Sequence, residues 1–107
     1  MAALRLVPAS GAPPIDITTD VAVVGRDPAC EVVVSDGSVS RKHARIERRR
    51  DKFFLIDQST NGTFVTFAGE AEIVLRREEV MLRGSGSITF GHNAAESSKG
   101  SLTFILR

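Results

Sequence analysis

At 107 residues and 11.5 kDa the chain is the size of a single domain, residues 1–107, with room for a core that needs neither metal nor disulfide. Hydrophobic residues at 42% and charged residues at 25% exclude a disordered chain, and no apolar run approaches the ~20 residues that span a bilayer. A net charge of +1 supplies no bulk attraction to nucleic acid or membrane, and the single Cys30 excludes a disulfide framework and a cysteine-based zinc site.

Met1 to Pro14 contain Arg5 and no apolar stretch long enough for a secretory signal, so a cytoplasmic location is expected. Apolar residues then come in short pulses, separated by Gly, Ser, Asp or charged clusters, which is the pattern of an all-β sandwich. In chain order the predicted strands cover residues 3–7, 15–17, 21–24, 32–34, 44–47, 53–57, 64–66, 73–75, 80–82, 88–90 and 102–106. Val, Ile, Thr and Phe dominate them, residues that fit a pleated, half-buried surface. Ala44-Arg45-Ile46-Glu47 alternates apolar with charged, as in an antiparallel sheet with one wet face. Between the pulses, Asp27-Pro28 and Asp36-Gly37 read as turns, and Asn61-Gly62 is the pair that a type I′ hairpin demands. Gly84-Ser85-Gly86 separates two late strands, residues 76–80 stay in a loop, and Ser97-Ser98-Lys99-Gly100 makes a flexible tip. The expected fold is one eleven-stranded antiparallel β-sandwich of two sheets.

Signatures of enzyme chemistry are scarce in the sequence. There is no Gly-x-x-x-x-Gly-Lys-Ser/Thr phosphate loop and no Gly-x-Ser-x-Gly elbow, and Gly84-Ser85-Gly86 lacks the third glycine and the helix of a dinucleotide fingerprint. His43 and His92 stand about 50 residues apart, so neither a metal nor another cofactor is expected. Asn61-Gly62-Thr63 matches a glycosylation sequon but reads better as a turn. Ser40, His43 and Asp57 could be imagined as a nucleophile, a base and its orienter, yet nothing in their spacing recommends it.

Four blocks remain: Val24-Gly25-Arg26-Asp27-Pro28, Val39-Ser40-Arg41-Lys42-His43-Ala44-Arg45, Asp57-Gln58-Ser59-Thr60-Asn61-Gly62-Thr63-Phe64-Val65 and Ile88-Thr89-Phe90-Gly91. Each joins a strand end to a loop. Gathered at one end of a sandwich they would offer the guanidinium groups of Arg26 and Arg41, the hydroxyls of Ser40 and Thr60, and the amide of Asn61. That set suits a dianionic tetrahedral oxyanion, with arginine bidentate and hydroxyls donating to the other oxygens.

In this order and spacing the blocks resemble a forkhead-associated (FHA) domain, a phosphothreonine-peptide binding module with an eleven-stranded, SMAD-like sandwich. Gly25-Arg26, Ser40-x-x-His43 and Asn61-Gly62 match the family's motif residues, and the resemblance covers roughly residues 21–91. It implies that Arg26, Ser40 and Arg41 contact the phosphate, that Thr60 donates to it and shapes the slot for the threonine methyl, and that Asn61 holds the peptide main chain just past the phosphothreonine. Gly25, His43 and Gly62 become structural supports, and Ser38 falls where the family senses the third residue after the phosphothreonine. The chain departs from the family pattern at Thr66, at Ser85-Gly86 and along a long acidic stretch, residues 68–79.

The partner implied is a protein phosphorylated on threonine by a Ser/Thr kinase, and the function a non-catalytic reader, in the style of bacterial regulatory proteins and part of a longer chain. Two alternatives come from other classes. The six Lys or Arg between Arg41 and Arg50 raise a nucleic-acid-binding β domain, but Arg45, Glu47 and Arg49 alternate as a wet sheet face and no Tyr or Trp is available for base stacking. Phosphate-independent protein assembly through a sheet face is the other alternative. Neither nucleic acid nor membrane is an expected partner.

Overall fold

Alternation of side chains builds the strands: in the segment from Ala44 to Arg49, Ala44 and Ile46 are buried while Arg45 and Glu47 face outward and remain half-buried. The computed structural model describes residues 3–93 and 100–107, and among these every regular element is a strand. They are β1 (Leu4–Pro8), β2 (Ile15–Ile17), β3 (Val21–Gly25), β4 (Val32–Val33), β5 (Ala44–Arg49), β6 (Lys52–Asp57), β7 (Thr63–Phe67), β8 (Ile73–Leu75), β9 (Glu79–Leu82), β10 (Ser85–Phe90) and β11 (Leu102–Leu106). Six form one sheet in the order β2-β1-β11-β10-β7-β8, and five form the other, β4-β3-β5-β6-β9. The pairings are antiparallel except for β3 with β4, which run parallel through Val24↔Val32 and Gly25↔Val33. Leu4, Leu6, Val24, Ile46, Phe53, Leu55, Val65, Ile88, Phe90 and Phe104, each 2% exposed or less, fill the space between the sheets.

Two readings of the turns change. Asn61-Gly62 does not close a hairpin: β6 pairs with β5 and β9 while β7 pairs with β10 and β8, so residues 58–62 cross from one sheet to the other. Only Gly62 takes a positive φ, +93°, whereas a type I′ turn needs two such residues in succession. Similarly, Ser85 and Gly86 belong to β10 instead of separating strands. A Cβ on Gly86 would strike the Thr66 carbonyl and the Phe104 ring, so this glycine marks a close approach, not a break. Asp27 and Asp36 do open turns, closed by Cys30 N–H to the Asp27 carbonyl and Val39 N–H to the Asp36 carbonyl. Of the expected tip at 97–100, residues 97–99 lie outside the described residues.

Register brings the loops together. In one sheet Ala44 pairs with Val24 and Asp57, and Ile56 with Glu79; in the other Thr63 pairs with Leu75 and Phe90. The connections after β3, before β5, between β6 and β7 and between β8 and β9 therefore emerge at the same end of the sandwich.

Candidate phosphopeptide-binding site

At that end β3 stops at Gly25, and residues 41–43 lie directly against it. A Cβ at Gly25 would collide with the Arg41 carbonyl, so only glycine lets the two segments meet. Backbone bonds lock the approach: Arg26 N–H donates to Ser40 O and Asp27 N–H to Arg41 O, both at 3.1 Å, and His43 N–H to Val24 O at 2.8 Å. Arg26 is exposed and its Nε donates to Val39 O at 3.1 Å, which aims the guanidinium along the Ser40 loop.

His43 ties this loop to the next. It is fully buried, edge-on to Phe90 with ring centroids 5.3 Å apart. Nδ1 accepts from the Ser40 N–H at 2.9 Å, so Nδ1 carries no proton; Nε2 holds it and donates to Gly62 O at 2.8 Å. Burial pushes the imidazole pKa below its ordinary 6.5, against the opposing pull of the Gly62 carbonyl and the Asp57 carboxylate. The side chain is thus a neutral strut from the Ser40 loop to the crossing that holds Thr60 and Asn61. With both ring nitrogens committed, no lone pair remains to activate the Ser40 hydroxyl. Although Asp57 Oδ1 is 4.0 Å from Nε2, the imagined Ser40-His43-Asp57 triad does not assemble.

Asp57 has another task. Its Oδ1 accepts from Ser59 Oγ at 2.6 Å and Thr63 Oγ1 at 2.7 Å, and its Oδ2 from Arg77 N–H at 2.9 Å. Ser59 Oγ in turn accepts from Gly62 N–H at 2.7 Å. This buried cluster shapes the crossing so that Thr60 and Asn61 are exposed at its crest, while Thr60 N–H faces Ser40 Oγ at 3.5 Å. The Asp57-x-Ser59 spacing signals such an Asx-type turn in the sequence, a signal eclipsed there by Asn61-Gly62. Gly91 N–H to Gly62 O, 2.9 Å, joins the far sheet to the same point.

The sequence-derived residues are therefore brought together: Arg26, Ser40, Arg41, Thr60 and Asn61 share one rim, with Gly25, His43 and Gly62 beneath it. Ser38 sits beside them, but its hydroxyl is already engaged, 3.0 Å from Asp36 Oδ1 and 3.3 Å from the Phe90 carbonyl. The turn at Ser38 also holds Asp36 below the usual carboxylate range, through the Ser38 amide and hydroxyl and nearby His92.

Charge is unevenly paired. Away from the loop end, Arg5 binds Asp16, Arg45 and Arg49 bind Glu47, Arg49 also Glu79, Arg48 binds Asp20 and Arg83 binds Glu70. Arg26 and Arg41 form no ion pair with a described residue, so two forked cations face solvent beside two hydroxyls. Such a rim can grip a phosphate dianion. Among the described residues no helix is long and apolar enough to cross a membrane, and no group of His, Cys, Asp and Glu could hold a metal.

Comparison with known proteins agrees with this architecture. The structure is similar to the first FHA domain of Rv1747 from Mycobacterium tuberculosis, with a TM-score of 0.73 and 20% identity, covering 98% of this chain and 96% of that one. It is similar to the FhaA FHA domain solved in complex with the intracellular domain of Rv3910, with a TM-score of 0.67 and 26% identity over 100% of both chains. Similarity extends to Mycobacterium tuberculosis EmbR in complex with a low-affinity phosphopeptide, with a TM-score of 0.73 and 21% identity, covering 96% of this chain and 24% of that one. No curated protein matches the sequence. The FHA domain family profile matches residues 22–91, the span that holds every residue of the rim, and the chain belongs to the FHA domain family.

Proposed function

We propose that this domain binds phosphothreonine in a partner protein, as a non-catalytic reader downstream of a Ser/Thr kinase. The observation that carries the reading is the rim itself: Arg26 and Arg41, with no ion pair to a described residue, share the loop end with Ser40 and Thr60 on a frame fixed by neutral His43. Arg26 and Arg41 neutralise a group bearing roughly −1.5 to −2 charges. Ser40 and Thr60 donate to the remaining oxygens, and Asn61 binds the peptide main chain beyond the phosphothreonine. Ser38 lies where the third following residue passes; with its hydroxyl committed, it offers that residue shape and no charge. Each charge-assisted bond contributes about 1.5–3 kcal/mol, so three or four of them dominate recognition and dephosphorylation should abolish it. Burial of the threonine methyl adds only about 0.8 kcal/mol, so threonine is preferred over serine without absolute exclusion. The reading places the protein in the cytoplasm, where such kinases act, with neither nucleic acid nor membrane as its partner.

Fluorescence anisotropy against phosphothreonine, phosphoserine and unphosphorylated peptide pools tests it. Saturable binding of the phosphothreonine pool, lost in Arg26→Ala, is the expected result. Equal binding of all pools would replace it with phosphate-independent assembly.

A further inference from the structure

On the other flank of the Thr60–Asn61 crest, the loop between β8 and β9 carries Arg76 and Arg77. Arg77 adopts φ +58°, a left-handed conformation uncommon for a long side chain and found where the surroundings impose it. Here they do. Its backbone N–H donates to the Asp57 carboxylate at 2.9 Å and its Nε to the Ser59 carbonyl at 3.0 Å, so the backbone and the guanidinium are each anchored. Arg76 lays its stem beside Gly62, its Cγ 3.8 Å from where a Cβ there would stand. Neither guanidinium forms an ion pair with a described residue. The nearby carboxylates are otherwise engaged: Asp57 with Ser59, Thr63 and the Arg77 amide, Glu78 with the Arg76 amide at 3.2 Å, and Glu79 with Arg49 at 2.7 Å. Among the described residues the crest is thus flanked on both sides by cations without an ion pair, and those on this side lie outside the four motif blocks that carry the phosphate-binding residues.

We propose that Arg76 and Arg77 form a second anion subsite, which selects phosphopeptides carrying another anionic side chain, a carboxylate or a second phosphate, close to the phosphothreonine. The inference rests on the phosphothreonine reading of the first site. Ser59 and Thr60 are consecutive, with ~3.8 Å between their Cα atoms, and a guanidinium held at Ser59 lies within about 10 Å of a phosphate at Thr60. An extended peptide covers that distance in about three residues. The pre-anchored Arg77 loses little side-chain freedom on binding, which favours a bidentate grip.

The test is an anisotropy titration of wild type, Arg76→Gln, Arg76→Gln/Arg77→Asn and Arg26→Ala. The probes are one phosphothreonine peptide and derivatives with Glu, or with phosphoserine, at each nearby position in turn. Asn tolerates the left-handed backbone, and Arg76→Gln alone leaves every bond of the crest in place. At one position or more, the added anion should tighten wild-type binding about ten-fold. The double variant should lose that gain yet bind the singly phosphorylated peptide within about two-fold of wild type. Comparing the Glu and phosphoserine series tells whether carboxylate or phosphate is the preferred anion. A gain at no position, or one that survives the double variant, overturns the subsite while Arg26-dependent binding still upholds the first site. Absence of Arg26-dependent phosphothreonine binding overturns both.

Discussion

Arg26 and His43 sit within one hydrogen bond of the same loop but act through different physics, and their substitutions should separate. Arg26 is exposed, and among the described residues it bonds through Nε to Val39 O and through its own N–H to Ser40 O. Truncation to Ala should leave unfolding free energy within about 0.5 kcal/mol of wild type. Phosphopeptide affinity should fall roughly ten- to hundred-fold, since about 1.5–3 kcal/mol of charge-assisted bonding is lost; paired thermal melts and titrations check both. His43 contributes as a neutral group with its pKa lowered by burial, so the unfolded chain binds the extra proton more readily than the folded one. Stability from His43 is therefore complete above about pH 6.5, the ordinary value, and declines as pH falls below it. Protonation would also set an Nδ1–H against the Ser40 N–H, donor against donor, and release the loop. Denaturant unfolding from pH 7.5 downward should show a loss of stability in wild type that His43→Gln, weaker throughout, lacks over that range. Equal slopes for the two proteins would contradict the assignment of Nδ1 as acceptor.

Two glycines packed against backbone make the comparison between elements. At Gly86 in β10 an added Cβ meets the Thr66 carbonyl and the Phe104 ring, which itself packs edge-on against Phe67 at 5.7 Å. At Gly25, closing β3, it meets the Arg41 carbonyl. Both Ala variants should lose about 1–3 kcal/mol of stability from overpacking. Only Gly25→Ala should also weaken phosphopeptide binding, because it displaces residues 41–43 under the rim, whereas the Gly86 strain falls on β7 and β11 toward the far end of the sandwich. Titration below each variant's melting transition separates the two. These glycines mark the limit of what the sequence discloses. Apolar pulses bounded by Gly and Asp reveal the strands, and the spacing of Gly25-Arg26, Ser40-x-x-His43 and Asn61-Gly62 reveals the rim. Local pattern says nothing of which sheet receives a strand, so a crossing between sheets resembles a hairpin and a strand glycine under an aromatic ring resembles a break. Arg77 is equally silent in sequence, because its anchors, Asp57 and Ser59, are about 20 residues away and meet it only in the folded chain.

For the whole molecule, a net charge of +1 conceals a strongly uneven field. The outer face of β5 carries Arg45, Glu47 and Arg49 in a chain of ion pairs that reaches Glu79, while Arg26, Arg41, Arg76 and Arg77 at the loop end form no ion pair with a described residue. The basic run from Arg41 to Arg50 is thereby divided: Glu47, Glu79 and Asp20 pair with Arg45, Arg48 and Arg49 in its sheet half, whereas its loop half begins at the rim with Arg41. Salt should discriminate between the halves. Exposed pairs contribute about 0–1 kcal/mol each and already lie in contact, so raising sodium chloride from about 50 to 500 mM should alter the melting temperature by no more than a few degrees. The same change shortens the screening length from roughly 14 Å to 4 Å and weakens attraction between the unpaired cations and an approaching phosphopeptide. Affinity should fall about ten-fold, mainly through slower association, with dissociation altered less because contact bonds are screened less than long-range steering. Stopped-flow titration at the two salt concentrations measures both rates. An association rate indifferent to salt would mean that the loop end presents no net positive field, and that recognition begins on another face of the sandwich.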